Sequence, residues 1–201
     1  RLYTRSNIRS AMLSGFDRIK LEYNHENAKY WPFGIGSGDV PVQQWLGVYN
    51  AFYDGYYRLP YFVKSIRINN DLIYDAQSEM EKNEIVLFDS KKVRDNEMQA
   101  LFEVCNRGSG ASMSKQFKYH KNLVSGKTGT APSGRTTLFV SHFNPYRNRL
   151  KYKDDNISMI VIVTTNTGGH KSVGNSTQGP TQIAGQIYDY LFKKELQEMM
   201  D

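Results

Sequence analysis

Three short strand-like segments, set off by turn formers, constrain this chain more than any other feature. They are Leu123 to Thr130, Thr136 to Phe143 and Ile157 to Thr165. The connections carry Pro132, Gly134, Asn144-Pro145 and Asp154-Asp155-Asn156, all residues that initiate turns. Strands joined by short connections pair antiparallel. The longest mainly apolar run, Ile157 to Val163, spans seven residues with Ser158 among them, against the roughly 20 that a membrane-spanning helix needs. It reads as a strand. Before the three segments, Met98, Leu101, Phe102 and Cys105 fall at i, i+3, i+4 and i+7, an amphipathic helix ending near Arg107-Gly108. After them, Pro180 opens a last helix expected to turn Ile183, Ile187, Tyr190 and Leu191 inward, with a charged tail from Lys193 to Asp201 that frays.

The first half has its own punctuation. Residues 1–30 are polar and helix-compatible, with Ile8, Met12 and Phe16 at four-residue spacing. Gly34, Gly36 and Gly38 form a loop, and Asp39 before Pro41 is a helix-start signal. The helix that follows carries Val42, Trp45, Leu46, Tyr49 and Tyr53 as its core stripe and stops at Gly55. Past Pro60 the period changes to two. Phe62 to Ile68 and Leu72 to Tyr74 flank Asn69-Asn70-Asp71 as two strands about a turn. The whole order gives an α+β fold, an antiparallel β-sheet flanked by helices.

Composition narrows the function classes. A chain of 201 residues can bury roughly 70% of its unfolded surface, so no metal or disulfide staple is required. The single cysteine excludes a disulfide framework and Cys-based zinc sites. Cys105 lies on an apolar stripe, where a thiol packs as a small hydrophobe. Aromatic residues make up 13% of the chain, too many for a disordered segment. The net charge is +6, but the cations are scattered. The densest groups, Lys115–Lys118–Lys121 and Arg147–Arg149–Lys151–Lys153, are interleaved with tyrosines, and no face carries arginines at groove spacing. No nucleic-acid partner is expected.

One segment carries chemistry: Ser125-Gly126-Lys127-Thr128-Gly129-Thr130-Ala131. As a phosphate loop it fails, because position 121 is Lys121 where a Gly is required. Gly129, Pro132 and Gly134 would also break the helix that must follow. Gly34-Ile35-Gly36-Ser37-Gly38 is no dinucleotide fingerprint either, since Asp39 replaces the third Gly. As a strand the segment makes sense. Thr128 and Thr130 share one face, and Lys127 and Gly129 the other. Two hydroxyls near an ammonium suit a carboxylate or a lactam carbonyl. Gly129 in a strand marks close approach by a ligand or another backbone. At a sheet edge the Thr130 N–H could donate to an oxyanion.

Lys-Thr-Gly-Thr-Ala on a strand resembles the Lys-Thr-Gly element of penicillin-binding protein transpeptidases, relatives of the serine β-lactamases. Arg107-Gly108-Ser109-Gly110 followed by Val124-Ser125-Gly126-Lys127 is similar to the family's "RGTG … AGKTGT" stretch. Gly34 to Gln44 is similar to its Gly-rich loop and following helix, and Tyr49 to Pro60 to the segment that closes that helix, with Asp54-Gly55-Tyr56 in place of its glycines. The likeness runs from about residue 34 to the end. The resemblance implies a β-lactamase/transpeptidase-like fold, present as a partial domain. Residues 1–201 would be the C-terminal part of a single transpeptidase domain.

Two family elements are missing. The family's nucleophile lies in a Ser-x-x-Lys far upstream of Lys-Thr-Gly. The one such match here, Ser112-Met113-Ser114-Lys115, sits in the linker and is read as chance. Ser-x-Asn does not occur, and Thr4-Arg5-Ser6-Asn7 puts Arg5 where the serine belongs. The catalytic nucleophile is therefore expected outside this chain. What the resemblance implies is a D,D-transpeptidase or carboxypeptidase of peptidoglycan synthesis, acting through a serine acyl-enzyme. Lys127, Thr128, Gly129 and Thr130 would be its substrate-binding residues, with no metal and no cofactor. Partners would be peptidoglycan stem peptides, β-lactams and the missing N-terminal part of the same protein. It would work in the periplasm or otherwise outside the cytoplasm, its parent anchored to the inner membrane. A β-lactam sensor or β-lactamase-like enzyme, and a non-catalytic scaffold that keeps the cleft, are the alternatives.

Overall fold

The computed structural model describes residues 6–30, 39–131, 136–143, 157–164 and 179–198. The Gly34–Gly38 loop and the turn formers between the last strands lie outside the described residues. The chain divides into two compact units, Arg1–Asp89 and Ser90–Asp201.

In the first unit, α1 (Ser6–Arg18) uses Met12 and Phe16, with Leu13, to pack on Ala28. Helix α2 (Val42–Asp54) ends at Gly55, whose φ of 99° lets its N–H reach the Ala51 carbonyl at 2.8 Å. A left-handed residue at this point is the usual helix stop. Its start differs from expectation: Pro41 precedes the helix with no side-chain cap, so Asp39 does not cap it. The core face differs too. Gln44, Gly47, Tyr49, Ala51 and Phe52 are buried, whereas Val42 and Tyr53 are exposed. Contacts outweigh hydropathy here. A Cβ on Gly47 would come within 2.7 Å of the Tyr57 ring and the Arg58 carbonyl. The Gln44 carbonyl accepts from the Glu22 N–H at 2.7 Å, and its amide donates to the Lys20 carbonyl.

Two small sheets complete this unit. Strand β1 (Tyr56–Tyr57) pairs with β4 (Ile85–Val86), and β2 (Ser65–Ile68) with β3 (Asp71–Asp75), all antiparallel. Asn69 and Asn70 both take positive φ, 51° and 71°, as a type I′ hairpin turn requires. Helix α3 (Ala76–Lys82) is capped by Asp75, which accepts from the Ser78 N–H. That hydrogen bond, ahead of all other causes, holds the Asp75 carboxyl below the usual carboxylate range.

The described residues of the second unit form one three-stranded sheet with helices. Helix α4 (Lys91–Asn106), capped by Ser90, leads through a 3₁₀ turn (Ala111–Lys115) to β5 (Val124–Thr130), β6 (Thr136–Phe143) and β7 (Ile157–Thr164); α5 (Pro180–Glu198) follows. The sheet order is β5-β6-β7, fully antiparallel. The expected α+β class and the antiparallel pairing both hold, and the strand boundaries fall within one residue of the sequence reading.

Its core gathers Cys105, Met113, Phe117, Val124, Phe139, Phe143, Tyr188 and Phe192. Phe143 and Phe192 stack at 4.0 Å between centroids, and the Tyr188 hydroxyl meets Ser141 Oγ at 3.0 Å inside the core. The inward face of α5 is therefore Thr181, Ala184, Tyr188, Phe192 and Leu196. The expected stripe is corrected: Ile183, Ile187 and Leu191 are 38–41% exposed and Tyr190 is 88% exposed. Aromatic stacking decides the face, together with Gly185, where a Cβ would sit 3.0 Å from Met113. The branched aliphatics point elsewhere.

Candidate functional site

The site is built around strand β5, and its approach begins where α4 stops. After Asn106 the chain folds back on the last helical turn. Gly108 N–H reaches the Glu103 and Val104 carbonyls, and Gly110 N–H reaches Val104 at 2.9 Å. A Cβ on Gly108 would lie 2.9 Å from Val104 Cα, and one on Gly110 would lie 3.1 Å from the Val104 carbonyl oxygen. At Gly108 the backbone leaves no room for a side chain, and at Gly110 the fit is tight. Ser109, between them, brings its Oγ to 2.7 Å from Thr128 Oγ1. A second tie runs between Asn106 and Asn122. The Asn106 amide donates to Asn122 Oδ1 at 3.0 Å, and the Asn122 N–H donates to Asn106 Oδ1 at 3.1 Å.

Within β5 the side chains alternate as expected. Lys127 faces Val140 in register, Thr128 faces Phe139, Gly129 faces Leu138 and Thr130 faces Thr137. The Ala131 N–H bonds the Thr136 carbonyl at 2.9 Å. By alternation the Thr128 and Thr130 backbone groups point away from β6, toward the outer side of the strand. The Lys127 ammonium lies on that side and donates to the Thr128 carbonyl at 2.8 Å. Lys127 and Thr130 are exposed, Gly129 is half-buried, and Thr128 is buried at 9% exposure. The structure thus brings the four residues onto one outer strand, with Thr128 tied down and Lys127 and Thr130 presented. The glycines also serve packing. A Cβ on Gly126 would stand 2.7 Å from the Phe139 ring and from the Val140 carbonyl, and one on Gly129 would stand 3.0 Å from the Leu138 side chain.

Other candidate nucleophiles sit apart from this edge. The Ser112 hydroxyl is 2.7 Å from Thr181 Oγ1, at the start of α5. Cys105 is buried, and burial pushes its thiol up to about 12. Such a thiol is inert at neutral pH. Burial also holds His142, in β6, down at about 4; its Nδ1 meets Ser158 Oγ at 3.0 Å, and its Nε2 has no partner among the described residues. Neither histidine 142 nor the Ser109–Thr128 contact stands out in the sequence beforehand. The signal for Ser109 is its place in the Arg107-Gly108-Ser109-Gly110 resemblance; for His142 there is none.

Among the described residues no group of three His, Cys, Asp or Glu could hold a metal ion. No described helix is long and apolar enough to cross a membrane.

The family model of the penicillin-binding protein transpeptidase domain matches residues 21–189. The chain belongs to this family. No curated protein matches it. The match covers α2, the hairpin, α4, the sheet and the first half of α5, so the Lys-Thr-Gly strand lies well inside it. Membership makes this a transpeptidase-type chain, with peptidoglycan substrates and β-lactams as the ligands such a domain implies.

Proposed function

We propose that residues 1–201 are the C-terminal part of the transpeptidase domain of a serine D,D-transpeptidase, and that the nucleophile lies elsewhere in the protein. The serine attacks the carbonyl of the penultimate D-Ala of a stem peptide. The C–N bond to the terminal D-Ala breaks, and D-Ala leaves as the amine carrying the proton the serine gave up. The acyl group stays on the serine until a second peptide's amine takes it and returns a proton to the serine oxygen. A β-lactam enters the same path by opening its ring C–N bond. Lys127 supplies positive charge beside the reacting centre. Thr128 and Thr130 hold the terminal carboxylate, and Gly129 leaves room for its approach. The Thr130 N–H serves as one oxyanion donor, a part worth about 3–4 kcal/mol in other acyl-transfer enzymes. Work on the cell-wall polymer places the protein outside the cytoplasm, held to the inner membrane by its parent chain.

The observation that carries this reading is a Lys-Thr-Gly-Thr strand on the outside of a sheet, with lysine and second threonine exposed. The test is acylation of the full-length protein by a fluorescent penicillin. Hydrogen bonds to a charged group contribute roughly 1.5–3 kcal/mol. Thr130→Val should therefore slow acylation about 10- to 100-fold, and Lys127→Ala at least as much. Wild-type rates in Thr130→Val would put the carboxylate elsewhere. Residues 1–201 by themselves should take no label, and an adduct on Ser112 would overturn the placement of the nucleophile.

A further inference from the structure

We infer that Ser109 is a positioning residue for Thr128, and through it sets the preference of this site for ligands with a free carboxylate. The inference rests on the reading of Thr128 as a carboxylate ligand. Its basis is the count of protons. Each hydroxyl has one proton to give and two lone pairs. At 2.7 Å, Ser109 and Thr128 share one hydrogen bond in which either can donate. If Thr128 donates to Ser109, only its lone pairs are left for a ligand, and they repel a carboxylate. If Ser109 donates to Thr128, the Thr128 proton remains for the carboxylate, and the chain Ser109 to Thr128 to carboxylate strengthens along its length. A carboxylate selects the second arrangement. A neutral ester gains much less from it.

The surrounding geometry makes Ser109 suited to the task. The two glycines beside it lie against the Val104 backbone, so the turn has little room to shift. The Asn106–Asn122 pair fastens the same turn to the start of β5. Thr128 is held at both ends, its hydroxyl by Ser109 and its carbonyl by the Lys127 ammonium. Loss of the Ser109 hydroxyl frees the Thr128 side chain without opening the core, since Ser109 itself is at the surface.

The experiment uses the full-length protein and two probes, a penicillin with its free carboxylate and the methyl ester of the same penicillin, with the second-order acylation rate read for each. Ser109→Ala should slow the acid about 5-fold, the share of one ordinary hydrogen bond, and slow the ester less than 2-fold. Ser109→Thr, which keeps the hydroxyl, should stay within about 2-fold of wild type for both. The double variant Ser109→Ala/Thr128→Val should be no slower on the acid than Thr128→Val alone, because the two act as one unit. If Thr128→Val lowers the acid-over-ester preference and Ser109→Ala does not, the role of Ser109 is wrong and the carboxylate reading survives. If Thr128→Val leaves the preference untouched, the carboxylate reading itself fails. Equal slowing of both probes by Ser109→Ala, with a lower Tm, would make Ser109 a purely structural contact and overturn the inference.

Discussion

Among the described residues strands β5 and β7 are the two outer strands of one sheet, and they are built in opposite ways. Strand β5, Val124–Thr130, carries a lysine, two threonines, a serine and two glycines. Strand β7, Ile157–Thr164, carries no charge, no proline and no glycine, and six of its eight residues are apolar. Outer strands are ordinarily guarded by charge, proline or a bulge. An apolar run on both faces is the pattern of a strand covered on both faces, and the lack of any edge guard is that of a strand paired along both edges. Lys127 guards β5, and nothing in β7 plays that part. On the proposed reading the difference has one meaning: the β5 edge stays open to a ligand, and β7 is composed for the interior of a wider sheet. The proposal that residues 1–201 are part of a larger domain accounts for that composition.

The largest effect expected tests how tightly β5 sits on its neighbour. Gly126→Val forces a side chain against the Phe139 ring and the Val140 carbonyl, where even a Cβ would stand 2.7 Å away. Overpacking of this kind costs about 3 kcal/mol, a fall in Tm of about 10 °C for a chain of this size. Gly129→Ala meets only the Leu138 side chain at 3.0 Å, which can turn aside, so its cost should be about 1 kcal/mol. Equal melting of the two variants would contradict the register given for β5 and β6.

Of comparable size is the acid response of the strand between the two edges. Burial keeps His142 neutral, with its folded value depressed to about 4. In the unfolded chain the same group binds its proton near pH 6.5. Between those values the unfolded state holds more protons, so stability is full above pH 6.5 and is lost as pH falls toward 4. The loss amounts to roughly 3 kcal/mol. His120, also held low by burial, acts in the same direction. Urea midpoints at pH 7 and pH 4.5 should drop in wild type and drop less in His142→Gln. An equal drop in both would show that His142 titrates normally and is not buried.

How much of this was legible in the residues themselves depends on which physical rule was in play. Alternation and turn chemistry are local, so the three strands, the Asn69-Asn70 hairpin and the Gly55 stop could all be read directly. The face of α5 could not. Counting branched aliphatics selected Ile183, Ile187 and Leu191, but ring stacking with Phe143 and the close approach at Gly185 chose Tyr188 and Phe192. The α2 stripe failed for a similar reason, since Gln44 is buried by hydrogen bonds that only the fold supplies. The Lys127–Thr130 segment was visible as a motif. Its partner Ser109, nineteen residues away, was visible only as part of a resemblance, because a contact over that separation has no periodicity to betray it.

The smallest effect sharpens the comparison of the edges most finely. Alternation across β6 turns the amides of Ile160 and Ile162 outward from β7, as it turns those of Thr128 and Thr130 outward from β5. In residues 1–201 the amides of Ile160, Ile162 and Thr128 should exchange hydrogen faster than those of Met159 and Val161, which face β6. In the full-length protein the Ile160 and Ile162 amides should become protected and the Thr128 amide should not. Protection at β5 and not at β7 would reverse the assignment of the open edge.

The most direct test of the central claim is a crystal structure of the full-length protein acylated by benzylpenicillin. The account predicts the carboxylate of the bound drug within about 2.5–3.2 Å of the Thr128 and Thr130 hydroxyl oxygens, beside the Lys127 ammonium and on the outer side of β5. A penicilloyl carboxylate held by other residues, with the β5 edge empty or covered by another strand, would contradict it.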